Sequence, residues 1–488
     1  MCREYLPNQT TGLPAGRQGE ISNCKCNYSH KKNVVNNLPS YFAGLTKILQ
    51  RLTFKLSLRS SFKSEKEETM SEQRQWVKLE AECGAPIFVW YVPGGVSVAL
   101  GAMVRVGSCD EIWPKEAGIA HAYEHMFFQG TERFKNSKQM SKFIESCGGY
   151  QNANTWYERT FYFSKVPIDF VERGLVFLSE GLLRPTFLPK KIEVEMKSIV
   201  QELKMYENDP EQYADQVFTS AIYGGHPFAK NIVGTEKSIT DFSQEDFLKW
   251  KDRFYYPDNF VFVCAGGIEP QKAKDLIDKF FNPKPACKRM FNFGNASVDL
   301  VGQTPRFVFI PKNDWKQTQV FMGTTVAEGD SPELSALGFF TDMLSGMSGP
   351  LFQEVRDKRG LAYHVSASIS PLKLLSCVQI YVGTDPKKWE EVVKTVRMVI
   401  DKNKSSKYLF NFTKTRILGQ LAIAHDEASP AQRISSAVNG IVLHGRPRAF
   451  EEKKSEIESI TLDQVEAAVD KYLNPDRLTT VVVGPETK

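Results

Sequence analysis

His121, Glu124 and His125 are the residues of this chain best suited by type and spacing to do chemistry. They lie in the stretch Gly118-Ile-Ala-His-Ala-Tyr-Glu-His-Met-Phe-Phe-Gln-Gly130 and include two of the chain's seven histidines. On a helix, side chains three and four residues apart share a face. Both imidazoles can then point at one ion, and the Glu124 carboxylate can reach a water beside it. Two imidazoles one turn apart with a carboxylate between them suit a catalytic zinc. Ala120 and Ala122 favour a helix, and Gly118 and Gly130 can end it.

Two histidines need a third ligand, and a catalytic zinc keeps a further position for water. The stretch 189–206 reads as a long helix carrying Glu193, Glu195 and Glu202. Glu195 and Glu202 are two turns apart and share a face. Either can be the ligand, with the other accepting a hydrogen bond from behind a histidine. Spacing alone does not choose between them. Glu193 reads as part of a solvated charged face.

The elements around these residues are legible from the apolar pattern. Residues 87–91 and 97–106 read as strands about the turn Pro93-Gly94-Gly95. A helix ends near Cys147 at Gly148-Gly149, and 151–165 alternates like a strand. Residues 170–183 form a helix, 259–265 a strand and 271–281 a helix, followed by the linker Asn282-Pro-Lys-Pro285. The second half repeats this pattern. Arg306-Phe-Val-Phe-Ile-Pro311 echoes the run ending at Pro93, and Tyr472-Leu-Asn-Pro475 echoes Tyr255-Tyr-Pro257; both matches lie about 218 residues apart. The expected fold is therefore α+β: two homologous domains of sheet packed with helices. Their expected bounds are 76–281 and 301–488, with a linker at 282–300 and a disordered basic leader at 1–75. At the same offset His121 falls on Phe339, Glu124 on Asp342 and His125 on Met343. The second copy thus keeps the apolar pattern and lacks the imidazoles.

Composition narrows the class. The 488 residues are 42% apolar and 24% charged, with a net charge of +5, which gives no support to nucleic-acid binding. The cysteines beyond the leader are isolated, as suits reduced thiols. No run of eighteen apolar residues offers a transmembrane helix. Residues 31–64 hold seven basic residues and no acid. They form a leader, with a mitochondrial transit peptide as the alternative, and Met70 is an alternative start. The expected compartment is the cytoplasm, or the mitochondrial matrix if the leader is a transit peptide.

The motifs together resemble the inverzincin metallopeptidases, the family of pitrilysin, insulin-degrading enzyme and the mitochondrial processing peptidase subunits. The resemblance covers about residues 76–488 and points to the short, two-domain type. The stretch around His121, Glu124 and His125 is similar to the family's zinc helix. Glu202 stands at the spacing of its third ligand, and Glu195 at its accessory glutamate. Asn152-Ala153-Asn154-Thr155, with Arg159-Thr160, resembles the edge strand that pairs with bound peptide. Gly225-His226-Pro227 also resembles the family, with His226 read as a turn residue and not as a ligand. Leu351-Phe-Gln-Glu-Val-Arg356 through Tyr363 resembles its arginine–tyrosine segment.

The resemblance implies a Zn2+-dependent endopeptidase acting on unstructured peptides, with Glu124 as general base and Arg356 and Tyr363 as donors to the tetrahedral oxyanion or the peptide backbone. Asn152 and Ala153 would bind peptide through the main chain. Two domains instead of four imply a homodimer, or a heterodimer with a related chain, in which Arg356 and Tyr363 act on the partner's zinc. Gly346-Met-Ser-Gly349 reads as a substrate-contacting loop or a plain helix-ending turn. The alternative is a non-catalytic or partner-dependent subunit of a heterodimeric processing peptidase.

Overall fold

The computed structural model describes residues 75–281, 306–327, 329–474 and 477–486. The expected leader, apart from residue 75, and the linker at 282–300 lie outside the described residues. The chain is an α+β fold with an internal duplication, built on two mixed sheets.

The first half runs β1 (Trp76–Glu80), β2 (Pro86–Tyr91), β3 (Ser97–Val104), α1 (Ile119–Phe127), α2 (Ser137–Glu145), β4 (Tyr150–Thr155), β5 (Thr160–Pro167), α3 (Val171–Leu183), α4 (Pro189–Asn208), α5 (Pro210–Tyr223), α6 (Glu236–Asp241), α7 (Gln244–Phe254), β6 (Phe260–Gly266) and α8 (Pro270–Phe281). The second half runs β7 (Phe307–Pro311), β8 (Thr318–Ala327), α9 (Pro332–Leu344), β9 (Ala362–Ser370), β10 (Leu375–Thr384), α10 (Trp389–Asn403), α11 (Lys407–Glu427), α12 (Pro430–His444), α13 (Phe450–Ser459), α14 (Leu462–Tyr472) and β11 (Thr479–Gly484).

The strand order is β1-β2-β6-β3-β5-β4 in one sheet and β7-β11-β8-β10-β9 in the other. In both, one parallel pair (β2 with β6, β7 with β11) is followed by antiparallel neighbours. β6 and β11, buried at every residue, sit inside their sheets, which is why they read as unbroken apolar runs. Several paired helices begin 218 residues apart: Val171 with Trp389, Pro189 with Lys407, Gln244 with Leu462. The stretch 151–165 is two strands rather than one. β4 and β5 pair about the turn at 156–159, where the Trp156 amide donates to the Arg159 carbonyl (2.8 Å). Both strands have period 2, so the pattern alone runs across the turn.

Each half has its own core on the front of its sheet. The back faces are covered reciprocally. α5 of the first half lays Ala214, Phe218 and Ile222 against Phe321, Tyr381 and Val483 of the second sheet. α12 of the second half lays Ile434, Val438 and Ile441 against Phe88, Met103 and Val263 of the first. Each sheet therefore buries its second apolar face only because the other half supplies the helix, and the exchange locks the halves together.

Among the described residues no helix is long and apolar enough to cross a membrane. Cys83, Cys109, Cys147, Cys264 and Cys377 are free thiols, and burial pushes the Cys264 thiol up to about 12.

Candidate metal centre

α1 places the motif. Its inner face buries Ala122, Tyr123, Met126 and Phe127, and the Tyr123 ring stacks on Tyr255 with centroids 3.9 Å apart. The opposite face presents His121, Glu124 and His125. Gly118 begins the helix at φ 87°, and a Cβ there would meet the Val233 carbonyl at 2.1 Å, so only glycine fits. The first amides of α1 are capped from a distance: the buried Glu111 carboxylate accepts from Gly118 N (2.9 Å) and Ala120 N (3.1 Å).

α4 begins with Pro189 in its first turn and buries Ile192, Met196, Ile199, Val200 and Leu203. That leaves Glu195 and Glu202 directed at α1. Glu202 Oε2 lies 3.9 Å from His121 Nε2 and 3.5 Å from His125 Nε2. Ligand atoms of His121, His125 and Glu202 all lie within 4.8 Å of one another. Tetrahedral zinc with bonds of about 2 Å separates its ligand atoms by about 3.3 Å, so small side-chain adjustments close this set around an ion.

Glu195 stands behind His125. Its Oε1 lies 2.8 Å from His125 Nδ1, and its Oε2 accepts from Gln129 (2.5 Å). An Nδ1 engaged in this way leaves Nε2 for a metal. His121 Nδ1 is buried with no hydrogen-bond partner among the described residues. Tyr206, one turn beyond Glu202, donates to Glu202 Oε1 (2.7 Å), and Thr155 at the end of β4 donates to Glu124 Oε2 (2.6 Å). Glu193 is exposed and pairs with Lys197 (2.8 Å).

The electrostatics follow from burial and neighbours. Burial, then the neighbouring His125, pushes His121 down to about 4. Burial also opposes charge on His125, but the carboxylates of Glu195 and Glu202 win and hold it at about 10. Glu202 resists burial through His125, His121 and Tyr206 and falls to about 2. Burial raises Glu124 above the usual carboxylate range, partly offset by Thr155 and His125. The three donors have the chemistry for zinc: one imidazole that stays neutral, one that must give up its proton, and an ionised carboxylate.

The other sequence-derived residues fall in two places. Asn152 and Ala153 lie on β4, the edge strand of the first sheet, close to the metal cluster. The Asn152 Oδ1 accepts from the Ala153 amide (2.9 Å). Arg356 and Tyr363 lie together in the second half. The guanidinium lies 4.6 Å from the Tyr363 ring centroid and donates to the Tyr363 carbonyl (3.1 Å), while the tyrosine is 79% exposed. Among the described residues neither contacts His121, Glu124, His125 or Glu202. His226 accepts from Phe228 N (3.2 Å) in a turn. Gly346, at φ 91°, follows α9 in a turn, with Met347 exposed.

Sequence reasoning missed Glu111, Gln129, Thr155 and Tyr206 as partners of the site. Tyr206 carried a signal, four residues after Glu202 on the same helix face. Glu111 carried none, because its two bonds cross a loop.

Comparisons with known proteins give the family. Residues 91–236 match the family model of insulinase (peptidase family M16), and residues 241–410 match that of the peptidase M16 inactive domain. The two together span more than half of the chain. The chain belongs to the M16 peptidase family, in its short, two-domain form. An uncharacterized zinc protease of Rickettsia bellii is 28% identical over 411 residues, covering 82% of this chain and 96% of that protein. The uncharacterized zinc protease YmxG of Bacillus subtilis is 27% identical over 385 residues, covering 78% and 91%. The crystal structure of a protease from Helicobacter pylori has the same fold, with a TM-score of 0.75 at 19% identity, covering 84% of this chain and 100% of that one.

Proposed function

We propose that this chain is a zinc-dependent endopeptidase acting on unstructured peptides within a dimer. The observation that carries the reading is the convergence of His121 Nε2, His125 Nε2 and Glu202 Oε2, with Glu195 behind His125. His121, His125 and Glu202 would hold the zinc, which supplies an acidified water and polarises the scissile carbonyl. Glu124, held by Thr155, takes the proton of the attacking water and delivers it to the leaving amine. A raised carboxylate suits both roles, since it holds a proton more readily than an ordinary carboxylate does. The free edge of β4 at Asn152 and Ala153 pairs with the peptide main chain, giving broad sequence tolerance. In this reading residues 76–281 are the catalytic domain and 301–488 the domain that presents Arg356 and Tyr363.

The exposure of Tyr363, which among the described residues touches none of the zinc residues, favours action across a dimer, on the partner's peptide. A partner that is a different, related chain makes this the active half of a heterodimer. Peptide hydrolysis by the purified single chain, with and without chelator, separates these readings. Chelator-sensitive hydrolysis by the chain alone supports the homodimer, and activity only with an added partner supports the heterodimer. A complete ligand set argues against a scaffold, for which no hydrolysis under any condition would be required. Mixing Glu124→Gln with Tyr363→Phe chains tests action in trans: recovery above either parent supports it, and none refutes it.

A further inference from the structure

Far from the metal cluster in the sequence, a cavity of about 540 Å³ lies where the two halves meet. Trp76 of β1 and Trp90 of β2 form one wall; His425 of α11 and Phe450 of α13 form the other. The rings make a ladder across the junction: Trp76 on Trp90 (centroids 5.5 Å), Trp90 on His425 (5.7 Å), His425 on Phe450 (4.5 Å). Three cations line the same space. Arg433 lies 4.6 Å from the Trp90 ring centroid and donates to the His425 carbonyl (2.6 Å). Arg448 pairs with Glu456. Lys453 is half-buried, donates to the neutral Ser436 hydroxyl (3.2 Å) and makes no ion pair among the described residues. Burial, then Arg448, holds the Lys453 ammonium below its usual range, offset in part by Glu456. Among the described residues Glu427 is the one acid in the lining, with Glu456 held on Arg448.

The duplication supplies a contrast. α12 begins 220 residues after α5, so Arg433 is the counterpart of Tyr213. At the corresponding junction Tyr213 packs on Trp315 (5.8 Å), and Lys312 lies over the Tyr213 face at 4.1 Å. Both junctions pair a ring with a cation, Tyr213 with Lys312 in one and Trp90 with Arg433 in the other. At the second, two further cations, Arg448 and Lys453, line open space as well.

We propose that this cavity is a binding site for a small organic anion bearing a planar ring, of the nucleoside phosphate class. The ring would stack among Trp76, His425 and Phe450, and the phosphate would meet Lys453 and the guanidinium of Arg448. The volume is in the usual range for such ligands, roughly 300 to 1,000 Å³. Because the walls come from both halves, the ligand bridges them. The proposal does not depend on the zinc reading.

The test is calorimetric titration of the full chain with adenosine monophosphate, adenosine and inorganic phosphate, with tryptophan fluorescence as a second signal. Saturable binding of adenosine monophosphate is expected, with adenosine and phosphate each at least about tenfold weaker, a difference of about 1.4 kcal/mol. Lys453→Gln should weaken it by a similar factor while leaving the melting temperature of the free chain unchanged or higher, since it relieves like-charge repulsion. Trp76→Leu should weaken adenosine monophosphate and leave phosphate unaffected. Absence of saturable binding at millimolar adenosine monophosphate overturns the proposal. So does an affinity that ignores both substitutions, and equal affinity for phosphate alone overturns the ring half of it.

Discussion

α1 and α9 occupy matching places in the two halves, and their difference divides fold from chemistry. In α1 the face turned to the long helix carries His121, Glu124 and His125; in α9 the same positions carry Phe339, Asp342 and Met343, with Phe339 and Met343 buried. The long helices differ in step. α4 offers Glu195 and Glu202, where α11 has Thr413 and Gln420 at the 218-residue offset. The second half thus shows what the architecture needs when it is only packed: apolar side chains between two helices. The first half departs from that at several positions at once. It then meets the cost of burying charge with compensating partners, Glu195 for His125, Tyr206 for Glu202 and Thr155 for Glu124.

The largest effect should come from removing the proposed base. Glu124→Gln should retain zinc by metal analysis yet lose about 10²- to 10⁴-fold in peptide hydrolysis, or more; near-normal turnover would break the assigned contrast with Asp342. The comparison can be attacked from the other side with Phe339→His plus Met343→His. Two imidazoles placed in that core, with Thr413 and Gln420 opposite, should cost at least about 3 kcal/mol in denaturant unfolding and bind no second zinc. A second equivalent of metal would show that the carboxylates matter less than argued. Glu195→Ala should leave the ligand set intact and lower zinc affinity by about 10- to 100-fold, measured by competition with a chelator.

A smaller loss, about 1 to 3 kcal/mol, is expected from Glu111→Gln. Both carboxylate oxygens accept amides at the start of α1, so the amide nitrogen would face an N–H. Thermal unfolding at neutral pH reads it. The smallest effect concerns pH. Burial lifts Asp110 from 3.8 to about 6, so the fold favours its protonated form. That stabilisation is present below pH 3.8 and is lost as pH rises through 6. Asp110→Asn should therefore flatten the stability profile between those values and add about 1 to 2 kcal/mol above pH 6. An unchanged slope would mean that the loop opens to water there.

Much of this was legible in the chain itself. H-x-x-E-H spacing, two glutamates at a seven-residue interval and a 218-residue repeat are one-dimensional patterns. Helix periodicity turns the first two into shared faces without any knowledge of what lies opposite. The repeat exposed Phe339 and Met343 as the packed version of the same helix. The division of 151–165 into two strands was not legible, because alternation continues unchanged through a tight turn.

Spacing ordered the two carboxylates only through the family resemblance; the physical reason that one faces one nitrogen and not another is tertiary. Glu195 and Glu202 share one face of α4; their roles part because α1 packs so that Glu195 lies beside His125 Nδ1 and Glu202 near the Nε2 atoms of His121 and His125. The same holds for the reciprocal exchange of α5 and α12, for the Glu111 cap and for the cavity between Trp90 and Phe450. Each joins residues far apart in the chain or across a loop, and no local period records such a meeting. Sequence fixes the faces an element can offer; the packing of one element on another selects the partner each face receives.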